Sequence, residues 1–366
     1  MEVLRRALEA LVIRPNFWRG KRVLVTGHTG FKGSWLAFLL RYFGASVFGY
    51  ALRPSTSPSL FRLLRLDELI ESQFGDVRDR AGVESAMRAI DPEIVFHLAS
   101  QPLVRESLSD PVTTFETNVI GLVYVIEAAR RLRRNVLMLN VTTDKVYDDC
   151  GVDRPHAESD RLGGADPYSS SKACAELVTA SYNSSVLAGT DSLRICTARA
   201  GNVIGGGDWS ADRIVPDIVR AITAGQDVIL RYPNATRPWQ HVLEPLSGYL
   251  TLIEAMCKRG EELDSAWNFG PNPAAHSPTV AELAERLIAA FGAPLRWVAA
   301  TSVEPEERRS LQIDSARAER MLAWRPRLTM DETVQWTAQW YLAWRKRKDL
   351  RAFTLQQIDA YFRGAN

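Results

Sequence analysis

Cysteine is scarce in this sequence, and its four residues lie far apart, at Cys150, Cys174, Cys196 and Cys257. Zinc sites and CxxC redox motifs need cysteines at short spacing, so the sequence indicates neither, and no metal is expected. Scattered thiols are typical of small core residues in a reducing compartment. We therefore expect a cytoplasmic protein.

An excess of charge of one sign is also missing, because 45 Lys and Arg residues face 43 Asp and Glu residues. The net charge of +2 indicates no broad attraction to nucleic acid or to an anionic membrane. The first residues, MEVLRRALEALVIRPNF, hold acids and arginines and no long apolar run. They predict neither a signal peptide nor a membrane span, but a helical extension over 1–15 that Pro15 ends.

Apolar segments of strand length recur along the first 200 residues and alternate with helical patterns, as around 35–43 and 112–133. Near-continuous apolar strands that alternate with helices are typical of a parallel sheet covered on both faces. We predict an α/β fold with a Rossmann-type doubly wound parallel sheet over residues 16–203. The strand-like segments span 23–25, 46–52, 93–100, 135–143 and 192–203.

From about residue 204 the composition changes, and glycine, proline and tryptophan become dense. Helical patterns follow at 279–291 and 331–346. We predict a smaller C-terminal α/β lobe over 204–366 that lies on the carboxyl edge of the sheet. Some of its segments, at about 238–270, should return to the Rossmann core.

The stretch VLVTGHTGFKG places Gly27, Gly30 and Gly33 directly after a strand and at the start of a helix. Glycines there let backbone N–H groups and the helix N-terminus approach a pyrophosphate, which predicts a dinucleotide cofactor. A tight turn without a ligand is the alternative. Arg53, after the second strand, favours the 2′-phosphate of NADP, whereas NAD usually meets an acid. Asp76 could accept a hydrogen bond from the adenine amine or be a turn residue.

Tyr168 and Lys172 are four residues apart in DPYSSSKACAELV, which places both on one face of a helix. A nearby ammonium should lower the tyrosine pKa from about 10, so that tyrosinate can take a proton from a substrate hydroxyl. The stretch TTDK, with Thr143, Asp144 and Lys145, follows an apolar strand. Read alone, it fits a polar strand terminus or a catalytic cluster.

Together, the glycine loop, Thr143 at a strand end and the Tyr168–Lys172 pair resemble the extended short-chain dehydrogenase/reductase family. Within it, the stretches GHTGFKGSWL, HLASQPLVRESL, TTDKVY, RAGNVIGGGDW and RPWQHVLEP resemble the CDP-glucose 4,6-dehydratases of the nucleotide-sugar dehydratase branch. The resemblance covers roughly residues 16–345. It implies a homodimer formed through two helices per subunit, one of which carries Tyr168.

The resemblance implies a lyase that converts CDP-D-glucose to CDP-4-dehydro-6-deoxy-D-glucose with an NAD that is recycled within each turnover. Tyr168, supported by Lys172 and Thr143, would deprotonate the C4 hydroxyl as hydride leaves C4. Elimination of water then needs an acid at O6 and a base at C5, which the resemblance assigns to Asp144 and Lys145. The product class would feed deoxysugar biosynthesis for surface polysaccharide such as the lipopolysaccharide O-antigen.

The resemblance also implies two sets of binding residues. Those for the cofactor are Gly27, Gly30, Phe31, Gly33, Arg53, Asp76, Val77, Leu98, Ala99, Asn118, Tyr168 and Lys172. Those for the nucleotide sugar are Gln101, Asn202, Arg213, Arg237, Trp239 and His241. The arginines suit diphosphate oxygens because the guanidinium fork pairs with them bidentately. Core packing is the alternative interpretation for Trp239.

Two segments depart from the group's pattern, at 148–161 and at 304–314, and both fall where sugar or cofactor contacts are expected. The first motivates an alternative function, a nucleotide-sugar epimerase of the same family. A non-catalytic dinucleotide-binding protein is a further alternative, since a fold does not dictate a function.

Overall fold

The computed structural model describes residues 14–148, 154–260, 263, 265–272, 277–301 and 311–363. Most of the predicted extension over 1–15, residues 149–153 of the segment 148–161, and residues 304–310 of the segment 304–314 therefore lie outside the described residues.

Seven parallel strands form the central sheet, and four short strands form two small pairs in the C-terminal part. The strands are β1 Arg22–Thr26, β2 Ser46–Ala51, β3 Glu71–Phe74, β4 Ile94–His97, β5 Val136–Val141, β6 Leu193–Ala200, β7 Val203–Ile204, β8 Val228–Leu230, β9 Gln240–His241, β10 Ala266–Phe269 and β11 Trp297–Ala299. β8 pairs with β11, and β7 with β9.

The helices that cover the sheet and build the second lobe are α1 Pro15–Trp18, α2 Phe31–Tyr42, α3 Leu60–Leu63, α4 Arg80–Ile90, α5 Val104–Ser109, α6 Pro111–Phe115, α7 Gly121–Arg130, α8 Pro167–Ser181, α9 Ile214–Ala224, α10 Leu243–Arg259, α11 Val280–Ala290, α12 Ala316–Leu322, α13 Met330–Arg345 and α14 Leu350–Arg363. π-helical turns continue α6 over Glu116–Ile120 and α8 over Tyr182–Val186.

The sheet order is β10-β6-β5-β4-β1-β2-β3. The chain runs outward from β1 to β3, then returns to place β4 on the other side of β1. The carboxyl ends of β1 and β4 therefore flank a topological switch point, where open α/β sheets bind their ligands. The predicted Rossmann-type parallel sheet is confirmed.

Two hydrophobic cores lie on opposite faces of the sheet. One contains Val23, Trp35, Leu246 and Trp340 and extends into the second lobe. The other is smaller and packs Leu24 and Val95 against helices α4, α7 and α8. Because both faces are covered, the apolar strands β4 and β5 show no polar alternation.

Several element boundaries differ from the sequence prediction. Pro15 begins the short helix α1, as the fixed φ of proline permits at a first helical position. The helix predicted before Pro15 falls outside the described residues and stays a prediction. The predicted helix over 112–133 is interrupted by the π-helical turn Glu116–Ile120. The helix after the glycine loop begins at Phe31, four residues before the expected Trp35.

One helical stretch among the described residues, Pro111–Arg130, has the length and apolar composition of a membrane span. Its most apolar window is 44% buried inside the fold, and α7 packs against α4. A core helix passes the same test, so the finding is weak evidence for a membrane.

Candidate active site

The TTDK stretch lies immediately after β5, at the carboxyl edge of the sheet. Thr143, Asp144 and the preceding Thr142 are buried, whereas Lys145 is half-buried. The Thr143 hydroxyl donates to Asp144 Oδ1 at 3.0 Å and accepts from the Lys145 backbone N–H at 3.4 Å. The stretch is therefore a compact polar turn at the edge where Rossmann sheets bind ligands.

Helix α8 brings Tyr168 and Lys172 to this turn. Its first turn is capped by Asp166, whose carboxylate accepts from the Ser169 backbone N–H at 2.9 Å, with proline at the first helical position. The Tyr168 backbone N–H donates to Ser107 Oγ at 3.1 Å. The Lys172 ammonium donates to the carbonyl of Val141, the last residue of β5, at 3.1 Å. Helix and strand end are thus directly joined.

The expected lowering of the tyrosine pKa is wrong for the protein without ligands. Burial raises the pKa of Tyr168 to about 12, and the hydrogen bond with the Thr143 side chain only partly offsets it. The physical reason is the burial of the phenol, which penalises its charged form more than the neighbouring groups favour it. Burial also lowers the pKa of Lys172 to about 8, against the opposing charge of Glu176.

Burial dominates the electrostatic surroundings of Asp144. Burial raises its pKa, although the charges of Lys145, Arg237 and Lys32 and the Thr143 hydroxyl oppose the shift. Its Oδ2 has no hydrogen-bond partner among the described residues. That oxygen lies beside Gly201, where an added Cβ would stand 3.0 Å from it. An acid with an unpartnered oxygen at a cleft can donate to a ligand atom.

The glycine loop joins β1 to α2 with little space to spare. Gly27 has φ +74°, and a Cβ there would stand 2.7 Å from the backbone nitrogen of Ala99. A Cβ at Gly33 would stand 2.2 Å from the Gly27 carbonyl oxygen. Gly30 has no such crowding. The loop therefore lies tightly on Leu98 and Ala99 after β4, and the N-terminus of α2, which starts at Phe31, is free to meet a phosphate.

Arg53 and Asp76 follow β2 and β3, as the sequence predicts. The exposed Arg53 guanidinium lies 4.5 Å from the ring centroid of Phe74. Asp76 pairs with Arg78 at 2.6 Å, and these hydrogen bonds lower the pKa of Asp76. The buried Val77 follows and contacts the position of Gly121.

Asn118 and Gln101 are buried and bonded within the protein. Asn118 Nδ2 donates to the Gln101 carbonyl at 3.1 Å and to Ser171 Oγ at 2.8 Å. The Gln101 amide nitrogen donates to Thr114 Oγ1 at 2.9 Å, and its amide oxygen accepts from the Leu103 backbone N–H at 2.5 Å. Asn118 thus joins the loop after β4 to α8, whereas Gln101 joins it to Thr114 on α6. Direct ligand contact by either side chain stays a prediction.

The predicted nucleotide-sugar residues divide into two groups. Arg213, at the start of α9, is half-buried and 3.6 Å from Asp208, and the carbonyl of the half-buried Asn202 accepts from Gln240. Arg237 is buried, and its charge acts on Asp144. These side chains border the TTDK turn and the second lobe.

Trp239 and His241 belong instead to the interior. Trp239 is 5% exposed and lies in the larger core. His241 is fully buried, with its ring edge-to-face against Trp35 and Trp336 at 6.0 and 5.7 Å. Burial lowers the pKa of His241 to about 3, so it is neutral. Tryptophans flank its ring, and substrate binding by His241 stays a prediction.

Two residues of the glycine loop were not singled out from the sequence. Lys32, in the first turn of α2, is half-buried, and burial together with Arg213 and Lys172 lowers its pKa to about 7. The His28 ring fills the space over Gly49 and bonds Ser72 Oγ at 2.6 Å. The sequence signal for both residues was their bulky polar side chains within GHTGFKG, a stretch in which only the glycines were interpreted.

No group of three or more His, Cys, Asp or Glu side chains that could hold a metal ion occurs in the described part of the chain.

Solved structures with the same architecture identify the class of fold. A dTDP-glucose 4,6-dehydratase from Streptomyces venezuelae, with NAD and TYD bound, matches with a TM-score of 0.75 and 23% identity over 89% of this chain and 98% of its own. A UDP-glucose 4-epimerase from Thermotoga maritima matches with a TM-score of 0.77 and 21% identity over 89% and 99%. The fold is that of nucleotide-sugar dehydratases and epimerases.

Sequence comparison identifies the family. Residues 24–337 match the GDP-mannose 4,6 dehydratase family. A CDP-glucose 4,6-dehydratase from Salmonella typhimurium is 41% identical over 354 residues, which cover 96% of this chain and 98% of the relative. The chain belongs to this dehydratase family, and the predicted nucleotide-sugar dehydratase branch is confirmed.

Proposed function

We propose that the protein is an NAD-dependent CDP-glucose 4,6-dehydratase, a hydro-lyase. The observation that carries the proposal is a buried acid of raised pKa, Asp144, between Thr143 and Lys145 and within reach of the Tyr168–Lys172 helix. Oxidation at C4 needs only the tyrosine and the cofactor, whereas elimination also needs an acid. The similarity to the Salmonella enzyme over nearly the whole chain supports the same reaction.

The residues of the glycine loop fit a bound NAD. The close approach of Gly27 and Gly33 leaves the N-terminus of α2 open, which suits a pyrophosphate, and Leu98 and Ala99 lie beside it. Asp76 would face the adenine. Arg53, whose guanidinium lies over the Phe74 ring, would face the adenosine ribose. When bound, NAD accepts hydride from C4 of the sugar and later returns it to C6.

The protein's own side chains would move the protons. Tyr168 would take the C4 hydroxyl proton once the ammonium of Lys172 and the bound cofactor favour tyrosinate, while Thr143 positions O4. Lys145 would take the C5 proton, which the new ketone acidifies. Asp144 would protonate O6 as water leaves. Arg213 and Arg237 would hold the diphosphate. The product would enter deoxysugar assembly in the cytoplasm.

The reaction is tested with CDP-glucose deuterated at C4. We expect the label at the C6 methyl group of a 4-keto-6-deoxy product, because one cofactor both takes and returns the hydride. Product analysis by NMR reads this directly, and dTDP-, GDP- and UDP-sugars with NAD or NADP serve as comparisons. Recovery of an epimeric sugar that retains its C6 oxygen would contradict the dehydratase proposal and indicate an epimerase.

We also propose that two copies associate through α8 and its neighbours. Six exposed large hydrophobic side chains lie on helices α5, α6 and α8 and their π-helical turns, and α6 packs beside α8. They are Leu108, Val112, Phe115, Ile120, Leu177 and Val186. Contiguous apolar surface of this kind is typical of an interface between copies.

Sedimentation measurements test this surface. The wild type should be a dimer, and the double variant Val112→Glu/Leu177→Glu a monomer, because a charge at the centre of an apolar interface is not solvated. Ile229→Glu is the matched control, since Ile229 is 66% exposed on β8, in the second lobe. A monomeric wild type, or an equal effect of Ile229→Glu, would contradict the assignment.

A further inference from the structure

A buried ion pair lies one helical turn beyond Lys172. Glu176 on α8 and Arg199 on β6 are each 3% exposed, and their side chains meet in a bidentate arrangement. Arg199 Nε donates to Glu176 Oε1 at 3.0 Å, and its Nη2 donates to Oε2 at 2.8 Å. Burial alone would lower the pKa of Arg199, but the hydrogen bonds and charge of Glu176 raise it. The guanidinium is therefore held in its charged form.

Glu176 also binds the strands that carry the catalytic turn. Its Oε1 accepts from the hydroxyl of Thr142, the first residue of TTDK, at 2.5 Å. Its Oε2 accepts from Thr197 Oγ1 on β6 at 2.7 Å. One carboxylate thus connects the helix of Tyr168 and Lys172 with the turn after β5 and with the neighbouring strand β6.

Arg199 extends the connection behind the turn. Its Nη1 donates to Tyr147 Oη at 2.9 Å and to the Glu158 carbonyl at 3.1 Å. The Tyr147 hydroxyl in turn donates to Asn268 Oδ1 on β10 at 2.6 Å. The described part of the segment that departs from the family pattern, which includes Glu158, therefore packs against this network.

The same pair acts on Lys172 through its charge. Lys172 is 6% exposed, and its ammonium donates to the Val141 carbonyl at 3.1 Å. The carboxylate of Glu176 opposes the loss of the lysine proton that burial favours. Arg199 limits that effect because it neutralises most of the same carboxylate.

We propose that Glu176 and Arg199 are a positioning pair for the dehydratase reaction, setting both the place of α8 against the TTDK turn and the charge of Lys172. The proposal rests on the proposed function, because Lys172 matters only where Tyr168 acts as a base. Neither residue touches the sugar; both act through Thr142, Lys172 and the strand ends.

Two single variants test the charge role in opposite directions. In Glu176→Gln the buried Arg199 cation is unopposed, so Lys172 loses its proton at lower pH. The alkaline limb of kcat should move down by about one pH unit. In Arg199→Met the carboxylate is unopposed, and the limb should move up. kcat should fall about 10- to 100-fold in both through misplacement of α8, with KM for CDP-glucose changed less.

A double variant and a control separate positioning from stability. Glu176→Leu/Arg199→Met removes both charges and should return the alkaline limb close to its wild-type position. Glu254→Gln is the matched control, because Glu254 is another buried glutamate, bonded to Trp18 Nε1 at 2.8 Å rather than to the TTDK turn. It should leave the pH profile unchanged.

The effect of Glu176 and Arg199 on the protonation of Lys172 can also be measured without any substrate, by NMR titration of the lysine side chain. The Lys172→Arg variant assigns its signal. A wild type that does not turn over CDP-glucose would overturn the proposed function. The titration would still show whether Glu176 and Arg199 set the charge of Lys172. Unchanged lysine titration and parallel pH profiles in both single variants would overturn the positioning role and leave an ion pair that serves folding alone.

Discussion

Tyr168→Phe is expected to lower kcat by about 10²- to 10⁴-fold, which corresponds to about 3–5 kcal/mol of transition-state stabilisation. The substitution removes one oxygen from a side chain whose hydroxyl bonds Thr143 and faces the TTDK turn. The ring and the backbone bond to Ser107 remain, so the fold should persist. Steady-state kinetics with CDP-glucose and equilibrium binding of NAD measure the two effects separately.

Tyr182→Phe provides the control for this substitution. Tyr182 lies in the π-helical turn that continues α8, and its hydroxyl donates to Glu127 Oε1 at 2.9 Å, away from the turn. It should retain wild-type kcat. Equal activity of Tyr168→Phe and wild type would remove the tyrosine from the chemistry.

Asp144→Asn is expected to stop dehydration, with kcat lowered about 10²- to 10⁴-fold, because an amide cannot deliver the proton to O6. The free energy of unfolding at neutral pH should not fall. A carboxyl group whose pKa is raised in the folded state destabilises the fold above its unfolded pKa, and the amide removes that cost. Chemical denaturation at neutral pH measures this.

The fate of the C5 proton in D₂O distinguishes Asp144 from Lys145. Asp144→Asn retains the base, so recovered CDP-glucose should carry deuterium at C5 although no 6-deoxy sugar forms. Lys145→Ala should form neither product nor C5-labelled substrate. Normal dehydration by Lys145→Ala would assign the C5 base to another group, and loss of C5 exchange in Asp144→Asn would contradict the division of roles.

The positions of β1, β4 and β5 were predictable because each is a mostly apolar run. The π-helical turn at Glu116–Ile120 could not be predicted, since its residues include no glycine or proline. The turn follows from packing beside α8.

Within the site, local spacing was enough to place Tyr168 and Lys172 together, since both are on one helix. The pairing of Glu176 with Arg199 could not be predicted, because it depends on β6 lying beside β5. The burial of His241 could not be predicted for the same reason. Its neighbours Trp35 and Trp336 come from distant parts of the chain, and the sequence gives no sign that they close around it.

The edge strand β10 and the helix α10 have a consequence for how such a protein can diversify. Both come from the C-terminal half of the chain, yet β10 completes the central sheet beside β6 and α10 packs against β5 and β6. Exchanging residues 204–366 as a cassette would therefore remove part of the sheet together with the second lobe. New sugar preferences are better accommodated by single substitutions in loops than by recombination of whole halves.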